Sequence, residues 1–550
     1  MKLKTLIQSI GWTEWRWVFW LALAVIIITS LPLLYGWWAT PADYQFTGIH
    51  FALPNDWFVF YSYLEQVRQG HWLFTNLFTA EPSQPVFNIL WLVVGWLAKI
   101  FHLSDVAAFN LARIILIPVF FSVAYVFIGY LFDSIKQRRW VLILLTFSSG
   151  LGFLLLNQII IYPYNFAAGQ HHWPMDLWVP EFNTFLTLYY SPHFIASLTL
   201  FLATIFLAAL AAETKLIRYS FSAGITALVL FSFHPFHVIS LLSVILVYYL
   251  VLMLEAKKWS WPLFGHYSLL VLLAAPAIIY YLYLVQTDWV IGQKALQNLN
   301  FTTPLWLTFF SGGVLLLLAL VQTGLILIKK QFSSRNLLLI VWFLVQFVMI
   351  YWPVNYQRRM TEGWHFPLVA LTALSLFPLS HWWKKKNKSG PKRVFEWRWA
   401  FLVLLSLGLV ISNLFQLAAD FIVYNERRTL AYISQEIIDA ALWFKSTDPN
   451  SVIFNSSDRI VNIIPAYAGR PVYVGHGVET PAFGPKQTEV AWFFDHNRDQ
   501  DKEINFLRRR NIDYLFYGPS ERALGSYQPE TKFYLRATYT NSQVQIYQVL

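Results

Sequence analysis

The sequence predicts a polytopic α-helical membrane protein of about eleven spans, followed by a C-terminal extracytoplasmic α/β domain. The 550 residues are 57% hydrophobic and 13% charged, whereas soluble proteins carry about 25% charged residues. Apolar runs of roughly 18 to 25 residues recur from Val18 to Ala418, and each is long enough to cross a bilayer as a helix. Beyond Phe421, short segments rich in β-branched and aromatic residues replace these runs.

The apolar runs predict the individual spans. They are Val18–Trp38, Ala107–Phe132, Trp140–Tyr162, Pro192–Ala212, Phe221–Phe233, Phe236–Leu254, Phe264–Leu284, Leu305–Ile328, Asn336–Trp352, His365–Leu379 and Ala400–Ala419. The run Val86–Phe101 is too short to span and predicts an interfacial or re-entrant helix of the first outer loop.

With these spans, the clusters of Lys and Arg fall in alternate loops, on the same side as Lys2 and Lys4. Positive loops face the cytoplasm, so we expect a multi-pass protein of the cytoplasmic (inner) membrane with a cytoplasmic N-terminus. The net charge of +11 is then largely an orientation signal, and we expect no nucleic-acid partner. The predicted domains are residues 1–420, in which the first outer loop 39–106 carries the site, and residues 421–550 outside.

The C-terminal domain is predicted from four strand-like segments, "SVIFNS", "RPVYVG", "IDYLFYG" and "VQIYQV", and from amphipathic helices at Arg427–Lys445 and Asp499–Arg510. Its "YVGHGVETPAFGPK" contains His476, Glu479 and Lys486, without a nucleophile elbow or a Gly-rich phosphate loop. We therefore expect this domain to cover a catalytic cavity or to guide an acceptor, not to be a hydrolase.

The first loop contains "PNDWFVFYSYLEQVRQGHWLFTN", in which Asp56 precedes a run of aromatic residues. Two interpretations of Asp56 are open, a solvated loop residue and a reacting group. Phe58, Tyr61 and Leu64 recur at helical spacing, which predicts a helix that seats Asp56 against the membrane surface.

Two adjacent arginines, Arg358 and Arg359, lie at the predicted outer rim, against the positive-inside bias. Guanidinium holds phosphate oxygens in a bidentate fork, so a phosphate site and general binding to lipid headgroups are both open. Arg113, near the outer start of the second span, adds a third cation that requires an anion or the interface.

Histidines offer weaker signals. His234 and His237 flank Pro235 at a turn between spans, where capping of freed backbone groups is favoured over ligand binding. The "HHWPMD" segment places His171, His172 and Asp176 at a spacing that fits no strong zinc pattern. The chain has no cysteine, which excludes thiolate sites. We expect no cofactor, with a divalent metal ion left open.

Several features together resemble integral-membrane glycosyltransferases of the GT-C class, such as protein O-mannosyltransferases and lipid A aminoarabinose transferases. They are the acidic first loop, the helix that ends in "GHW", the second helix that closes near "KIFHLS", and an arginine in the next span. The class motif "DE" is here Asp56-Trp57, its tyrosine falls one place later at Tyr61, and its "PPLYY" is "QPVFN". The chain also resembles uncharacterised bacterial membrane proteins that share "RRMTEGWHFPL".

The resemblance implies a polyprenyl-phosphate sugar donor, a lipid, glycan or protein acceptor, and Asp56 as catalytic base in an inverting transfer. A departing lipid phosphate needs cations, which Arg358, Arg359 and Arg113 would supply. The remaining candidates for contacts with sugar or acceptor hydroxyls are Asp43, Tyr61, His193 and Glu362.

Two other classes of function are left open. A transporter or flippase of lipid-linked glycans usually shows repeated halves and polar midplane residues, and neither is evident in this sequence. An inactive membrane scaffold is the other, and the importance of Asp56 discriminates it from an enzyme.

Overall fold

The computed structural model describes residues 2–51, 56–162, 172–386, 409–428, 430–456 and 462–550. Up to residue 386 the elements are α1 (Leu3–Ser9), α2 (Trp12–Trp38), β1 (Tyr44–Phe46), α3 (Asp56–Arg68), α4 (Ile89–Ile100), α5 (Asp105–Leu131), α6 (Ile135–Phe147), α7 (Asn157–Ile161), α8 (Thr184–Tyr190), α9 (Pro192–Thr214), α10 (Ile217–Phe231), α11 (Val238–Glu255), α12 (Trp261–Thr287), α13 (Trp289–Gln297), α14 (Leu305–Ile328), α15 (Ser334–Met349) and α16 (His365–Lys386). After residue 408 they are α17 (Ile411–Asn425), β2 (Tyr432–Ser434), α18 (Gln435–Trp443), β3 (Ile453–Phe454), α19 (Phe483–Asp495), α20 (Gln500–Arg509), β4 (Tyr514–Tyr517), α21 (Pro519–Arg522), β5 (Leu535–Thr540) and β6 (Gln545–Val549).

The chain divides into two compact units. The first, called the helical unit, comprises Met1–Ser30, Asn110–Tyr281 and Leu299–Ala418. The second, called the α/β unit, comprises Leu31–Phe109, Leu282–Asn298 and Ala419–Leu550.

Seven helical segments of the described chain are long and apolar enough to cross a membrane, so the chain is a multi-pass membrane protein. They are Trp12–Trp38, Asp105–Leu131, Ile135–Leu155, Pro192–Thr214, Pro235–Glu255, Trp261–Thr287 and Leu305–Ile328. Helices α4, α10 and α15 are apolar but shorter. The predicted number of about eleven spans is therefore not confirmed, and most of the predicted span Ala400–Ala419 lies outside the described residues.

The predicted span Trp140–Tyr162 overlaps the apolar segment Ile135–Leu155, but the α-helix within it ends at Phe147 and a 3-10 turn covers Gly152–Leu155. The Ser149 amide donates to the carbonyl oxygen of Leu409 at 2.6 Å, and its own side chain bonds to the same oxygen at 2.8 Å. Gly150 allows the chain to pack closely against α14, since a Cβ at this position would lie 1.8 Å from a backbone oxygen of α14. After the end of α6, hydrogen bonds to distant parts of the helical unit therefore replace the regular hydrogen bonds of an α-helix.

A tight turn joins α10 to α11, close to where the sequence predicts it. Helix α10 ends at Phe231, and a single 3-10 turn over Pro235–His237 leads into α11. Proline suits the first position of such a turn because its φ is fixed and it has no N–H to satisfy. The turn carries both histidines of "FHPFH" into the helical unit.

The α/β unit contains a four-stranded sheet in the order β3-β4-β6-β5 and a two-stranded sheet of β1 and β2. Strand β3 runs parallel to β4, and the other pairs of the larger sheet are antiparallel. Strands β3, β4 and β6 match three predicted segments, whereas "RPVYVG" forms isolated bridges at Val472 and Val474. Strand β5 and helix α19 are unpredicted, and the helix expected over Arg427–Lys445 is confined to α18 and a short 3-10 turn.

Helix α3 is buried on the face that carries Phe58, Tyr61 and Leu64, each of which is 0% exposed. Phe60 stacks on Trp91 of α4 with ring centroids 4.4 Å apart. Side chains that protein covers completely do not contact lipid, so the expectation that this face rests on the membrane surface is wrong. The helix is instead an internal support of the α/β unit.

Candidate functional site

Asp56 is the first residue of α3, and its side chain keeps 36% of its surface exposed. The N-terminus of a helix stabilises a negative charge. The rest of α3 is fixed in place: the Tyr61 hydroxyl donates to the Thr47 carbonyl at 2.9 Å, and the Trp57 ring lies 5.7 Å from that of Phe109. An accessible carboxylate is thus held by a rigid helix.

His476 of the C-terminal segment contacts this carboxylate. Its Nε2 lies 3.1 Å from Oδ1 of Asp56, and its Nδ1 accepts a hydrogen bond from the Val478 amide at 3.3 Å. Because Nδ1 accepts, the neutral imidazole carries its proton on Nε2 and donates it to Asp56. The bond at Oδ1 orients the carboxylate.

Gln297 of α13 holds the loop that carries His476. Its Nε2 lies 3.3 Å, 2.8 Å and 2.8 Å from the carbonyl oxygens of Gly477, Val478 and Thr480. Buried or partly buried carbonyls require donors, and the two N–H groups of this amide lie within hydrogen-bond distance of all three oxygens. The position of His476 therefore depends on α13.

An ion pair fixes the same loop. Lys294 Nζ lies 2.5 Å from Oε1 of Glu479, and the Asn76 side chain donates to the Glu479 carbonyl at 2.7 Å. Burial raises the pKa of the Tyr63 phenol to about 12, against the effect of Lys294 and with those of Glu479 and Asp56. Tyr63 is therefore neutral at physiological pH, where it can donate a hydrogen bond but not act as a base.

Lys486 contacts a different part of the α/β unit. Its Nζ lies 2.6 Å from Oε2 of Glu81 and 3.0 Å from Oγ1 of Thr79. Burial alone would raise the pKa of Glu81, but the bonds from Lys486 and Thr79 outweigh it and hold that pKa below its usual range. Burial lowers the pKa of Lys486, and the hydrogen bond and charge of Glu81 act against that effect. His476, Glu479 and Lys486 thus have three different partners, which are Asp56, Lys294 and Glu81.

In the helical unit, Arg358 and Arg359 lie on a 3-10 turn over Gln357–Thr361. Arg358 is 7% exposed, donates from Nη2 to Asn300 Oδ1 at 2.6 Å, and lies over the Trp178 ring at 4.3 Å. Stacking on an aromatic face leaves the edge of a guanidinium to bind oxygen atoms.

Arg359 lies over the Phe236 ring at 4.7 Å, and its Nη1 is 3.7 Å from Oε1 of Glu181. Burial raises the pKa of Glu181 in spite of Arg359 and Arg358. The two arginines therefore share a partly buried polar region in which one carboxylate is already present.

Glu362 follows this turn and meets both histidines of "FHPFH". Its Oε2 lies 2.7 Å from Nε2 of His237 and 3.9 Å from Nδ1 of His234, and its Oε1 accepts a hydrogen bond from the Ser197 hydroxyl. Within the described chain, these three residues form the group of His and carboxylate side chains whose atoms lie close enough to hold one metal ion.

The other predicted site residues have clear local partners. Arg113 is 1% exposed and donates to Thr29 Oγ1 at 2.6 Å and to Ser30 Oγ at 2.8 Å. Asp43 is exposed, with a φ of 62°, and its carbonyl accepts from the Gln435 amide at 2.8 Å. Their proposed functional roles stay predictions.

His193 lies beside the histidine pair. Its Nδ1 is 2.7 Å from Oγ of Ser191, and its ring centroid is 5.6 Å from that of His234. The structure thus brings together His193 and Glu362 around His234, near one end of α9 and α11, within the helical unit. A contact with sugar or acceptor stays a prediction for His193.

The described residues of "HHWPMD" have separate partners. His171 lies outside the described residues, and His172 stacks on Tyr162 with centroids 4.4 Å apart. Asp176 is 0% exposed and accepts from Ser412 Oγ at 2.6 Å. Its carboxylate therefore has a structural partner.

Sequence reasoning missed two contacts that define these sites. His476 meets Asp56 across 420 positions, and His234 and His237 meet Glu362, which the sequence suggests only for sugar binding. A signal for the first was present in "GHG", because glycines on both sides of one histidine are typical of a loop that approaches another segment closely.

No protein-family model and no curated protein matches this sequence. Solved structures match its fold. The apo crystal structure of the Archaeoglobus fulgidus oligosaccharyltransferase has a TM-score of 0.57 at 13% identity, and the match covers 98% of this chain and 75% of that chain. Archaeal oligosaccharyltransferase AglB from A. fulgidus, in complex with an inhibitory peptide and a dolichol-phosphate, has a TM-score of 0.53 at 12% identity. The match covers 92% of this chain and 70% of that chain.

The arabinofuranosyltransferase AftD from Mycobacteria has a TM-score of 0.51 at 12% identity, over 97% of this chain and 40% of that chain. These proteins are GT-C glycosyltransferases. At such identities the likeness concerns the fold, and the chain therefore has the fold of the GT-C glycosyltransferases.

Proposed function

We propose that this protein is a membrane glycosyltransferase that moves a sugar from a polyprenyl-phosphate donor to a lipid, glycan or protein acceptor. Transfer takes place at the outer face of the cytoplasmic membrane, with the N-terminus in the cytoplasm. Residues 1–420 form the membrane domain, and residues 421–550 form an extracytoplasmic domain that completes the site. The GT-C fold and the dolichol-phosphate bound to AglB support this proposal.

The contact between Asp56 and His476 is the observation that carries it. In the reaction, the acceptor oxygen attacks the anomeric carbon, the bond from that carbon to the phosphate oxygen breaks, and Asp56 takes the proton of the attacking hydroxyl. A general base must have a fixed orientation and access to its substrate. Asp56 has both, since its side chain is 36% exposed and His476 holds one of its oxygens at 3.1 Å.

The leaving group is a lipid phosphate, which departs as a stable anion, so one carboxylate suffices and cations replace the second acid of a glycosidase. Arg358 and Arg359 are the proposed ligands of that phosphate. Arg113 is a third candidate, although its guanidinium already donates to two hydroxyl groups. The proposed mechanism inverts the anomeric configuration because the transfer is a single displacement.

The proposed contacts to sugar and acceptor hydroxyls are Asp43, Tyr61, His193 and Glu362. Asp43 is exposed, as such a contact requires. Tyr61 is 0% exposed and its hydroxyl is bonded to Thr47, so its contribution would be to position α3 and Asp56.

The test is transfer by Asp56→Asn in membranes, with radiolabelled polyprenyl-phosphate sugars as donors and the release of polyprenyl phosphate as readout. The amide keeps the size of the side chain but does not accept the proton, so we expect the rate to fall by about 10² to 10⁴ while donor binding is unchanged. Asp133→Asn is the matched control, because the side chain of Asp133 is 92% exposed. Transfer by Asp56→Asn at the wild-type rate would exclude Asp56 as the base, whereas the absence of transfer by the wild-type protein would favour a transporter.

A further inference from the structure

We propose that His234, His237 and Glu362 bind one divalent transition-metal ion of the Zn²⁺ type. The three ligand atoms lie within 4.8 Å of one another. Two ligands of a tetrahedral ion, each bonded at about 2.0–2.2 Å, lie roughly 3.4 Å apart. The observed separations from Glu362 Oε2, 2.7 Å to His237 and 3.9 Å to His234, lie on either side of that value, so small side-chain rotations suffice.

Burial without hydrogen bonds is the second observation. His234, His237 and Glu362 are 3%, 0% and 1% exposed. Within the described chain, His234 Nδ1, His237 Nε2 and Glu362 Oε2 have no hydrogen-bond partner, because the short contact between the last two lacks hydrogen-bond alignment. Each buried polar atom left without a hydrogen-bond partner destabilises the fold. One cation pairs with all three atoms.

The surrounding residues orient Glu362 toward the histidines. The Ser197 hydroxyl binds Oε1, which leaves Oε2 for the ion. Gln346 Nε2 donates to the backbone oxygens of Met360 and Glu362 at 2.7 Å and 2.5 Å, and Gln346 in turn accepts from Trp342 Nε1 at 2.6 Å. Metal-binding carboxylates are typically fixed by such outer partners.

Two imidazoles and one carboxylate form a donor set that zinc prefers, and three protein ligands leave a fourth position for water or another oxygen ligand. Arg359 Nη1 lies 3.7 Å from the Glu181 carboxylate, and Glu362 lies beside the two histidines. A bound divalent ion would add two positive charges at Glu362 and would attract an anionic ligand such as a phosphate oxygen. The proposal does not rest on sugar transfer, since the ion is measured directly.

The experiment uses the full-length protein purified in detergent. After removal of free metal, elemental analysis should find about one Zn²⁺ per chain, and chelator-treated protein should bind one Co²⁺ with the visible absorption of a tetrahedral site. His237→Ala and Glu362→Gln should each lose most of the bound ion. His266→Ala is the matched control and should retain it, because His266 is also buried but bonded to Ser220 at 2.6 Å.

Wild-type protein with no metal above background and no Co²⁺ absorption would overturn the proposal, and this measurement requires no variant. So would His237→Ala protein that binds Co²⁺ as tightly as wild type. A Glu362→Gln variant that folds, loses the ion, and is less thermally stabilised by added Zn²⁺ than His266→Ala supports it.

Discussion

Nε2 of His476 lies 3.1 Å from Oδ1 of Asp56, although 420 positions separate the two residues in the sequence. The Val478 amide bonds to the other ring nitrogen of His476, which sets the imidazole to donate. A base that must accept a proton gains orientation from such a donor. The C-terminal segment therefore contributes directly to the surroundings of the proposed base.

The first prediction concerns this donor. His476→Ala removes a hydrogen bond to a charged group, worth about 1.5–3 kcal/mol, and should lower kcat for transfer by roughly 10- to 100-fold. His476→Gln should recover most of that activity, because the Gln amide can present an N–H at nearly the same position. KM for the donor should stay unchanged in both, as measured by initial rates. Equal losses in the two variants would contradict a positioning role for His476.

The second prediction concerns the phosphate ligands. Arg358→Ala should weaken donor binding by about 1.5–3 kcal/mol, seen as a 10- to 150-fold higher KM, together with slower transfer. Arg358→Lys keeps the charge but not the bidentate fork, and should be intermediate.

Asn300→Ala is the control for that measurement. Asn300 contacts Arg358 through Oδ1 at 2.6 Å, so this variant removes a local partner but keeps the guanidinium. We expect a smaller rise in KM than in Arg358→Ala. An equal rise would mean that Arg358 acts by folding the turn and not by binding phosphate.

The third prediction concerns orientation in the membrane. The chain has no cysteine, so single cysteines can report on each side of intact cells. Asn450→Cys, at an exposed residue of the C-terminal segment, should react with an impermeant thiol reagent from outside. Lys329→Cys, exposed at the end of α14, should react only after lysis. The opposite pattern, or labelling of both from outside, would contradict the proposed topology.

Long apolar runs predict helices such as α9, α12 and α14 from the sequence, because length and hydropathy are local properties. The end of α6 at Phe147 depends on bonds to Leu409, which no local pattern encodes. The same limit applies to the candidate sites. The aromatic neighbours of Asp56 in the sequence identify it as a candidate site residue. Its contact with His476, by contrast, can be known only from the folded structure.

The last prediction concerns Asp176, which lies outside the candidate spans. Burial raises its pKa from 3.8 to about 7, against hydrogen bonds from Ser412 and Gly152. In the unfolded chain the carboxyl group ionises near pH 3.9, so the folded protein holds this proton to a higher pH. The resulting stabilisation is complete below the unfolded pKa and is lost as the pH rises through about 7.

Asp176→Asn keeps the size of the side chain and removes the titration. The wild-type protein in detergent should therefore lose up to about 4 kcal/mol in the free energy of unfolding between acidic and alkaline pH because of this group. The variant should show a flatter Tm profile from pH 5 to 8, measured by thermal unfolding at matched ionic strength. Asp133→Asn, at a side chain that is 92% exposed, should follow the wild-type profile. Parallel profiles for Asp176→Asn and wild type would show that burial does not control this carboxyl group.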